Sequence, residues 1–324
     1  MKIPSCKKIA VARRNRLGDL VCALPLIEHC KVLFPEAEIS LFLSPLAAML
    51  APYLQGIDKV VTFPAKGNRY FHMFKTGFLH SKDNYDLAIS AKPSPMRLVN
   101  VFLWALRARC RLAVVKKKTF LINGGIEEKT LRGKHQALRV LQILAPDLQE
   151  IPEEYYPRFN LQGHSEAIEK ALCKLKGFGP IILVSMTNNR TSSQISVKKY
   201  ITILNDLYKK HTFSVAISCV SKDLLAASEL QKALSCTSSV VETGQFNDFM
   251  HLVNGVDMLF IGDGGVMHIA AAFDKPQLVL FGHVKIEEWR PLSKKAVSLG
   301  AFTDVNEICN QEILRALEGV FRVL

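Results

Sequence analysis

The chain has no apolar run long enough to cross a bilayer. Its longest, Leu41 to Leu54, is broken by Ser44, Pro45 and Pro52 and is shorter than the roughly 20 residues a spanning helix needs. The opening residues, MKIPSCKKIAVAR, lack an apolar signal core and lead straight into a strand-like run, so no secretory leader is expected. Cysteine pairing signals are missing too. Eight cysteines lie scattered at positions 6, 22, 30, 110, 173, 219, 236 and 309, with no C-x-x-C pair and no Cys/His cluster at zinc spacing. They read as buried free thiols in a reducing compartment, and no metal site is expected. The common nucleotide and hydrolase signatures fail as well. Met267 stands where the third glycine of G-x-G-x-x-G belongs, which argues against a dinucleotide dehydrogenase. Gly133-Lys134 is followed by His135 and has no glycine five residues earlier, so a Walker phosphate loop is absent. No G-x-S-x-G elbow occurs, which removes the usual hydrolase of α/β folds. There is no short tandem repeat.

What is present is a long, apolar, basic chain. At 324 residues with 49% hydrophobic content, it suits two domains with separate cores. In the first half, strand-like runs (Ile9 to Ala12, Ile39 to Leu43, Lys59 to Phe63, Leu87 to Ser90, Leu112 to Val115) alternate with helical stretches. The second half repeats the pattern with Ile181 to Ser185, Ser214 to Ser218, Ser239 to Glu242, Met258 to Ile261 and Gln277 to Phe281. Helices are expected between them, for example Val197 to Lys210 and Leu224 to Leu234. This is the pattern of βα units and parallel sheets. The polar, proline-containing stretch from Leu144 to Leu161 is the expected linker. Two Rossmann-like α/β domains facing a cleft follow, residues 1–160 and 161–324.

Charge is one-sided. Residues 1–150 hold 24 Lys and Arg against 11 Asp and Glu, whereas residues 151–324 hold 18 of each. The densest run is Arg107, Arg109, Arg111 and Lys116 to Lys118, close to Trp104, with Lys129, Arg132 and Lys134 following. Such asymmetry points to an anionic partner for the first half. Nucleic acid is disfavoured because no interleaved aromatic platform, zinc finger or RNA-binding signature is evident, which leaves an anionic membrane surface rich in acidic glycolipid.

Two segments carry chemistry. In VDMLFIGDGGVMHIAAAFDKPQLVLFGH (256–283), a strand runs into Asp263-Gly264-Gly265 and then a helix beginning near Val266. Two glycines let a ligand approach the backbone, and the helix start offers N–H groups and a positive dipole end, so phosphate is the natural occupant. Asp263 suits sugar hydroxyls or helix capping rather than phosphate. His268, about one turn in, can donate to a phosphate oxygen. The alternative is an ordinary Gly-rich turn with a half-buried histidine. In KIAVARRNRLGDLVCALPLIEHCKVLF (8–34), a strand, a basic loop and a helix recur, with Asp19 at the helix mouth. Asp19 fits either a helix cap or a carboxylate facing a ligand.

With these segments in place the chain resembles glycosyltransferase family 9, whose best-known members are the ADP-heptose:lipopolysaccharide heptosyltransferases. The resemblance rests on Arg16-Leu17-Gly18-Asp19 with Pro25 downstream, Phe34-Pro35-Glu36-Ala37-Glu38-Ile39, and Asp263-Gly264-Gly265-Val266-Met267-His268. It continues through Ala270-Ala271-Ala272, Lys275-Pro276, Leu280-Phe281-Gly282 and Trp289-Arg290-Pro291. It implies a GT-B fold, with a C-terminal tail from about residue 306 crossing back to the first domain. The implied activity is inverting, metal-independent transfer of heptose from ADP-heptose to the lipopolysaccharide inner core, at the cytoplasmic face of a bacterial inner membrane and without a cofactor. Asp19 then matches the general base; aspartate is a weak base near neutral pH and needs desolvation for the task. Arg13, Arg14 and Arg16 are implied acceptor contacts. Asp263, Gly264, Gly265, His268, Thr187 and Arg190 form the implied donor site.

The chain also departs from the family pattern. Where a lysine near a Trp-Pro pair commonly helps neutralise phosphate, this chain has Ser193 or Gln194 and then Ile195-Ser196, with Arg190, Lys198 or Lys199 as substitutes. Gly264 replaces a hydroxyl residue, and His283 replaces a proline. These changes leave room for another sugar specificity, or for a non-catalytic scaffold that binds nucleotide sugars.

Overall fold

The computed structural model describes residues 5–14, 16–301, 303–322 and 324. The chain divides into two compact units, one ending at Asn160 and the other beginning at Leu161.

The first unit is built on six parallel strands: β1 (Lys8–Arg13), β2 (Glu38–Leu43), β3 (Lys59–Thr62), β4 (Leu87–Ser90), β5 (Cys110–Val115) and β6 (Gly124–Glu127), in the order β3-β2-β1-β4-β5-β6. Val11 of β1 faces Leu41 on one side and Ile89 on the other. From Ile9 to Arg13, β1 is buried throughout, as expected for a parallel strand covered on both faces, which shows no polar alternation. Phe102 packs against Phe42 and Phe63 at ring separations of 4.8 and 5.1 Å, anchoring the core. Five of these strands match the runs expected from the sequence. The sixth, β6, reads GGIE and offers almost no apolar pattern. Its Gly125 has φ +133, and a Cβ there would collide with the Ala113 carbonyl of β5, so close strand approach selects glycine.

The second unit repeats the plan with β7 (Ile181–Ser185), β8 (Ser214–Cys219), β9 (Ser238–Glu242), β10 (Met258–Gly262), β11 (Gln277–Phe281) and β12 (Ala296–Gly300), in the order β12-β11-β10-β7-β8-β9. Numbered within each unit, both sheets follow 3-2-1-4-5-6. That order reverses direction beside the first strand, between β1 and β4 in one unit and between β7 and β10 in the other. Crevices outside the carboxyl ends of strands at such reversals are where doubly wound folds bind ligands.

The C-terminal tail stays with the second unit. Ile313, Leu317 and Val320 of the Asn310–Phe321 helix are buried in its core, and that helix packs on Val197–Tyr208. Lys199 fastens the approach, its Nζ donating to the carbonyls of Asn306 (3.0 Å) and Ile308 (2.6 Å) and to Asn310 Oδ1 (3.0 Å). An apolar helix face and a buried ammonium thus hold the tail from about residue 306 on the second unit. Lys199 is withdrawn as a phosphate ligand. The cysteine expectation needs a smaller correction. All eight are free, but Cys173 and Cys309 are exposed. Burial pushes the thiols of Cys22 and Cys30 up to about 12.

Candidate active site

The strand reversal of the first unit is built around Asp19. Strand β1 ends at Arg13 and the Leu17–Val21 helix follows, with Asp19 in its first turn. Asp19 Oδ2 accepts from the Arg16 N–H at 3.1 Å, closing the helix start as an acidic residue there commonly does. Its other oxygen faces Arg13. Arg13 Nη2 donates to Asp19 Oδ1 at 2.6 Å, Nε to the Asp19 carbonyl at 2.9 Å, and Nη1 to the Ala91 carbonyl just beyond β4 at 2.7 Å. One guanidinium thus spans the reversal and fixes the carboxylate on it. Arg13 is 1% exposed, and burial lowers its pKa against the opposing pull of Asp19.

The guanidinium of Arg13, expected at the acceptor, gives these donors to Asp19 and Ala91 and is turned into the protein. Arg14 is half-buried and Arg16 exposed. Desolvation, and then the nearby Arg69 charge, lower the pKa of Arg14. Asp19 keeps 15% of its side chain exposed. Lys92, which the sequence reading passed over, belongs to the same neighbourhood. It is half-buried, with its pKa lowered by desolvation and then by Arg13, while Asp19 opposes both. The available signal was its place in Ala91-Lys92-Pro93, directly after β4.

The second reversal carries the Asp263 turn. Asp263 is 1% exposed; its Oδ2 accepts from Arg190 Nη1 at 2.6 Å, and its Oδ1 lies 3.5 Å from the Gly282 nitrogen. Asp263 does not cap the helix. Gly264 holds that position in an extended conformation, and Gly265 opens the Gly265–Ala272 helix, whose first-turn N–H groups have no carbonyl one turn back. The loop after β7 lies over this turn. Asn188 Nδ2 donates to the carbonyls of Asp263 (3.0 Å) and Ser193 (3.1 Å), and Asn188 Oδ1 accepts from the Arg190 N–H (3.0 Å). A Cβ at Gly262 would strike the Ser193 carbonyl, and one at Gly282 the Ser192 carbonyl. Asn188 and these two glycines were not read as site residues, because their role depends on the loop's return path.

The remaining expected donor residues fall nearby, with different parts to play. Thr187 Oγ1 donates to Asp223 Oδ2 at 2.6 Å and accepts from the Val220 N–H at 3.2 Å, so its hydroxyl braces the β7 and β8 loops. His268 is 3% exposed on the Gly265–Ala272 helix, its ring 6.5 Å from that of Trp289. At the position of the missing lysine, Ser193 is buried and Gln194 Nε2 donates to the Met186 carbonyl. Lys198 is exposed and Lys199 holds the tail. Arg190, 39% exposed at its side chain, is the candidate that reaches the turn. Among the described residues, no group of three or more His, Cys, Asp or Glu side chains is placed to hold a metal ion. Among the same residues, no helix is long and apolar enough to cross a membrane.

Comparison with known proteins connects these features. The chain is 22% identical over 315 residues to lipooligosaccharide heptosyltransferase 2 of Haemophilus ducreyi, covering 90% of this chain and 87% of the relative. Its fold matches a glycosyl transferase family 9 crystal structure from Veillonella parvula (TM-score 0.82, 14% identity, 100% and 99% of the two chains). It also matches the ADP-heptose lipopolysaccharide heptosyltransferase II of E. coli (TM-score 0.74, 17% identity, 97% and 98%) and an E. coli heptosyltransferase solved with ADP (TM-score 0.73, 12% identity, 97% and 99%). The two six-stranded parallel sheets are thus those of the GT-B heptosyltransferase structures. The model of glycosyltransferase family 9 (heptosyltransferase) matches residues 82–317, well over half of the chain and including the whole Asp263 turn, and the chain belongs to that family.

Proposed function

We propose that the protein transfers heptose from ADP-heptose to an acidic acceptor of the lipopolysaccharide inner core, with inversion and without a metal ion. Asp19 carries the reading. Its carboxylate is fixed by Arg13 and the Arg16 N–H at the carboxyl end of β1, yet keeps part of its surface open. Inverting transfer needs one such base. The acceptor hydroxyl oxygen bonds to the anomeric carbon, Asp19 takes the hydroxyl proton, and the bond from that carbon to the diphosphate oxygen breaks, releasing ADP. Arg14, Arg16 and Lys92 supply positive charge for an acidic acceptor.

On the donor side, the N–H groups of Gly264 and Gly265 and the helix dipole stabilise the departing diphosphate, with Arg190 and His268 assisting. Asp263, already held by Arg190, serves the sugar side rather than the phosphates. Support comes from family membership and from ADP in a solved heptosyltransferase of the same fold. The acceptor would place the protein at the cytoplasmic face of a membrane as a peripheral partner. A scaffold role, or another donor sugar, is favoured only by Ser193 and Ile195-Ser196 at the lysine and Trp-Pro positions.

The test incubates the purified protein with ADP-heptose and a heptose-free, delipidated core oligosaccharide in excess EDTA. Mass spectrometry should show one heptose added per acceptor and ADP released. Asp19→Asn should slow transfer on the order of a hundredfold or more while retaining ADP binding. Binding without transfer by the native protein would overturn the catalytic reading in favour of the scaffold. Transfer only from a different nucleotide sugar would overturn the heptose assignment.

A further inference from the structure

The Arg69–His80 helix buries one face and leaves aromatic rings on the other. Met73, Thr76 and Gly77 are buried, whereas Phe71, Phe74 and Phe78, at i, i+3 and i+7 along one face, are 58%, 41% and 52% exposed. Gly77 explains how this helix meets its neighbour. A Cβ there would lie 2.6 Å from the Phe102 carbonyl and 2.8 Å from Ala105 Cβ, so the glycine lets the Arg97–Ala105 helix come close. That approach sets Trp104 against the exposed phenylalanines.

The rings form a continuous surface: Phe74 stacks on Phe78 at 6.2 Å and meets Trp104 at 6.2 Å, and Trp104 meets Phe120 at 6.3 Å. Phe120 is 79% exposed. Single exposed hydrophobic side chains are ordinary, but a contiguous aromatic cluster marks an interaction surface. The expectation that no aromatic platform accompanies the basic run is corrected here, because the rings come from three separate segments and meet only in the fold.

Cations rim the cluster. The Arg107 guanidinium lies 5.8 Å over the Phe78 ring, and Arg107 sits at φ 58, a left-handed conformation that glycine adopts far more readily. Lys116, Lys117 and Lys118 are exposed immediately before Thr119 and Phe120, and Lys75 is exposed on the phenylalanine helix. Elsewhere in the basic run, the Arg111 guanidinium donates to the carbonyls of Leu121 and Ala108, while Arg109 pairs with Asp86 at 3.5 Å and Lys116 with Glu128 at 3.8 Å. Charge argues against a second copy as the occupant of this surface. A second copy laid face to face would bring Arg107 and the three lysines against their own equivalents, in the half of the chain that carries all of the net positive charge. An anionic lipid surface neutralises them, and aromatic rings with basic neighbours suit the depth of the headgroups.

We propose that the aromatic cluster of Phe71, Phe74, Phe78, Trp104 and Phe120, rimmed by Arg107 and Lys116 to Lys118, is the surface by which the protein enters the headgroup layer of an anionic membrane. The inference rests on the transferase reading for its purpose, reaching a lipid-linked acceptor, but its test does not use that activity. Native protein is mixed with vesicles of phosphatidylglycerol and phosphatidylethanolamine, and separately with pure phosphatidylcholine vesicles. Co-sedimentation should be at least tenfold stronger with the anionic lipid and should fall at least tenfold in the Phe71→Ser/Phe78→Ser/Phe120→Ser protein.

The tryptophan signal gives a reading that needs no loss of side chains from the cluster. In Trp289→Phe protein, Trp104 is the sole tryptophan, and its emission should shift to the blue on adding anionic vesicles. Vesicle binding that is equal in the serine variant, or that leaves Trp104 emission unmoved, overturns the proposal. So does self-association of the native protein that the serine substitutions abolish, which would make the cluster a contact between copies. ADP binding and transfer to the delipidated acceptor report on the transferase reading alone, so the two can fail separately.

Discussion

Replacing Arg13 by methionine tests whether this residue positions Asp19 or binds acceptor. Arg13 is 1% exposed and gives its donors to Asp19 Oδ1, the Asp19 carbonyl and the Ala91 carbonyl. Methionine keeps most of the buried stem and removes all three bonds. Breaking a buried ion pair on one side costs about 3–5 kcal/mol. Asp19 retains some exposure and can regain water, so a loss near the lower end, about 3 kcal/mol, is expected. At roughly 2–4 °C per kcal/mol for a unit of this size, the melting transition should fall by about 6–12 °C.

Catalysis should suffer in a specific way. A carboxylate tethered only by the Arg16 N–H no longer holds one geometry, and general-base catalysis depends on position first. The turnover number kcat should therefore drop about tenfold or more while ADP affinity and the acceptor KM stay near native values. Arg13→Lys restores the charge but not the three-way span, and should recover part of the stability and little of the turnover. Scanning calorimetry and steady-state kinetics check both. A variant that melts like the native protein, with a raised acceptor KM and unchanged kcat, would show that Arg13 contacts substrate and that the positioning argument is wrong.

Four further outcomes follow from the second unit and the thiols. Gly262→Ala should weaken ADP binding about tenfold by calorimetric titration, because its methyl displaces the Ser193 carbonyl; in Gly264→Ala the new carbon meets nothing nearer than Asn188 Nδ2 at 3.7 Å, so the fold and melting temperature should be unaffected. Lys199→Met should cost about 1–3 kcal/mol by leaving the carbonyls of Asn306 and Ile308 without their donor, and should expose the tail to limited proteolysis. A thiol reagent at pH 8 should label Cys173 and Cys309 quickly and the six buried cysteines only after unfolding. Burial raises Cys22 and Cys30 from 9.0 to about 12, so their contribution to stability is intact below pH 9 and fades as pH rises toward 12. The decline should approach about 1.4 kcal/mol per pH unit for each thiol, and Cys22→Ala should flatten it in denaturant titrations across that range.

The sheets were legible because the central parallel strands are short buried apolar runs between turn residues, and ten of the twelve strands coincide with runs expected from the sequence. The two that were not expected, β6 (GGIE) and β12 (AVSLG), are short edge strands that contain glycine and carry few large apolar residues. The Asp19 and Asp263 turns were legible as local motifs. What sequence spacing did not hold was their company. Ala91 and Lys92 come to Arg13 and Asp19 from a segment more than seventy residues away, brought by the pairing of β1 with β4. Asn188 and Arg190 come to Asp263 across a similar separation through β7 and β10. The aromatic cluster was missed for the same reason, since the Arg69–His80 helix, Trp104 and Phe120 meet only once Gly77 has let two helices close.

The Arg190–Asp263 pair also limits what can replace the absent lysine. An arginine whose nearest partner is a buried carboxylate at 2.6 Å adds no net charge where the diphosphate is proposed to bind, because the two formal charges cancel. Serine at the lysine position adds none either, and the second half of the chain is neutral overall. The attraction for a departing diphosphate must then come mainly from fixed dipoles: the N–H groups of Gly264 and Gly265 and the start of the helix behind them, with whatever Arg190 offers beyond its bond to Asp263. Dipoles of this kind need no reorganisation as charge develops on the leaving group, but they act over the first turn only. The precise seating of the turn therefore matters more here than in a site with a lysine, whose charge acts at longer range. The Asn188 clasp and the two glycines beneath Ser192 and Ser193 supply that seating.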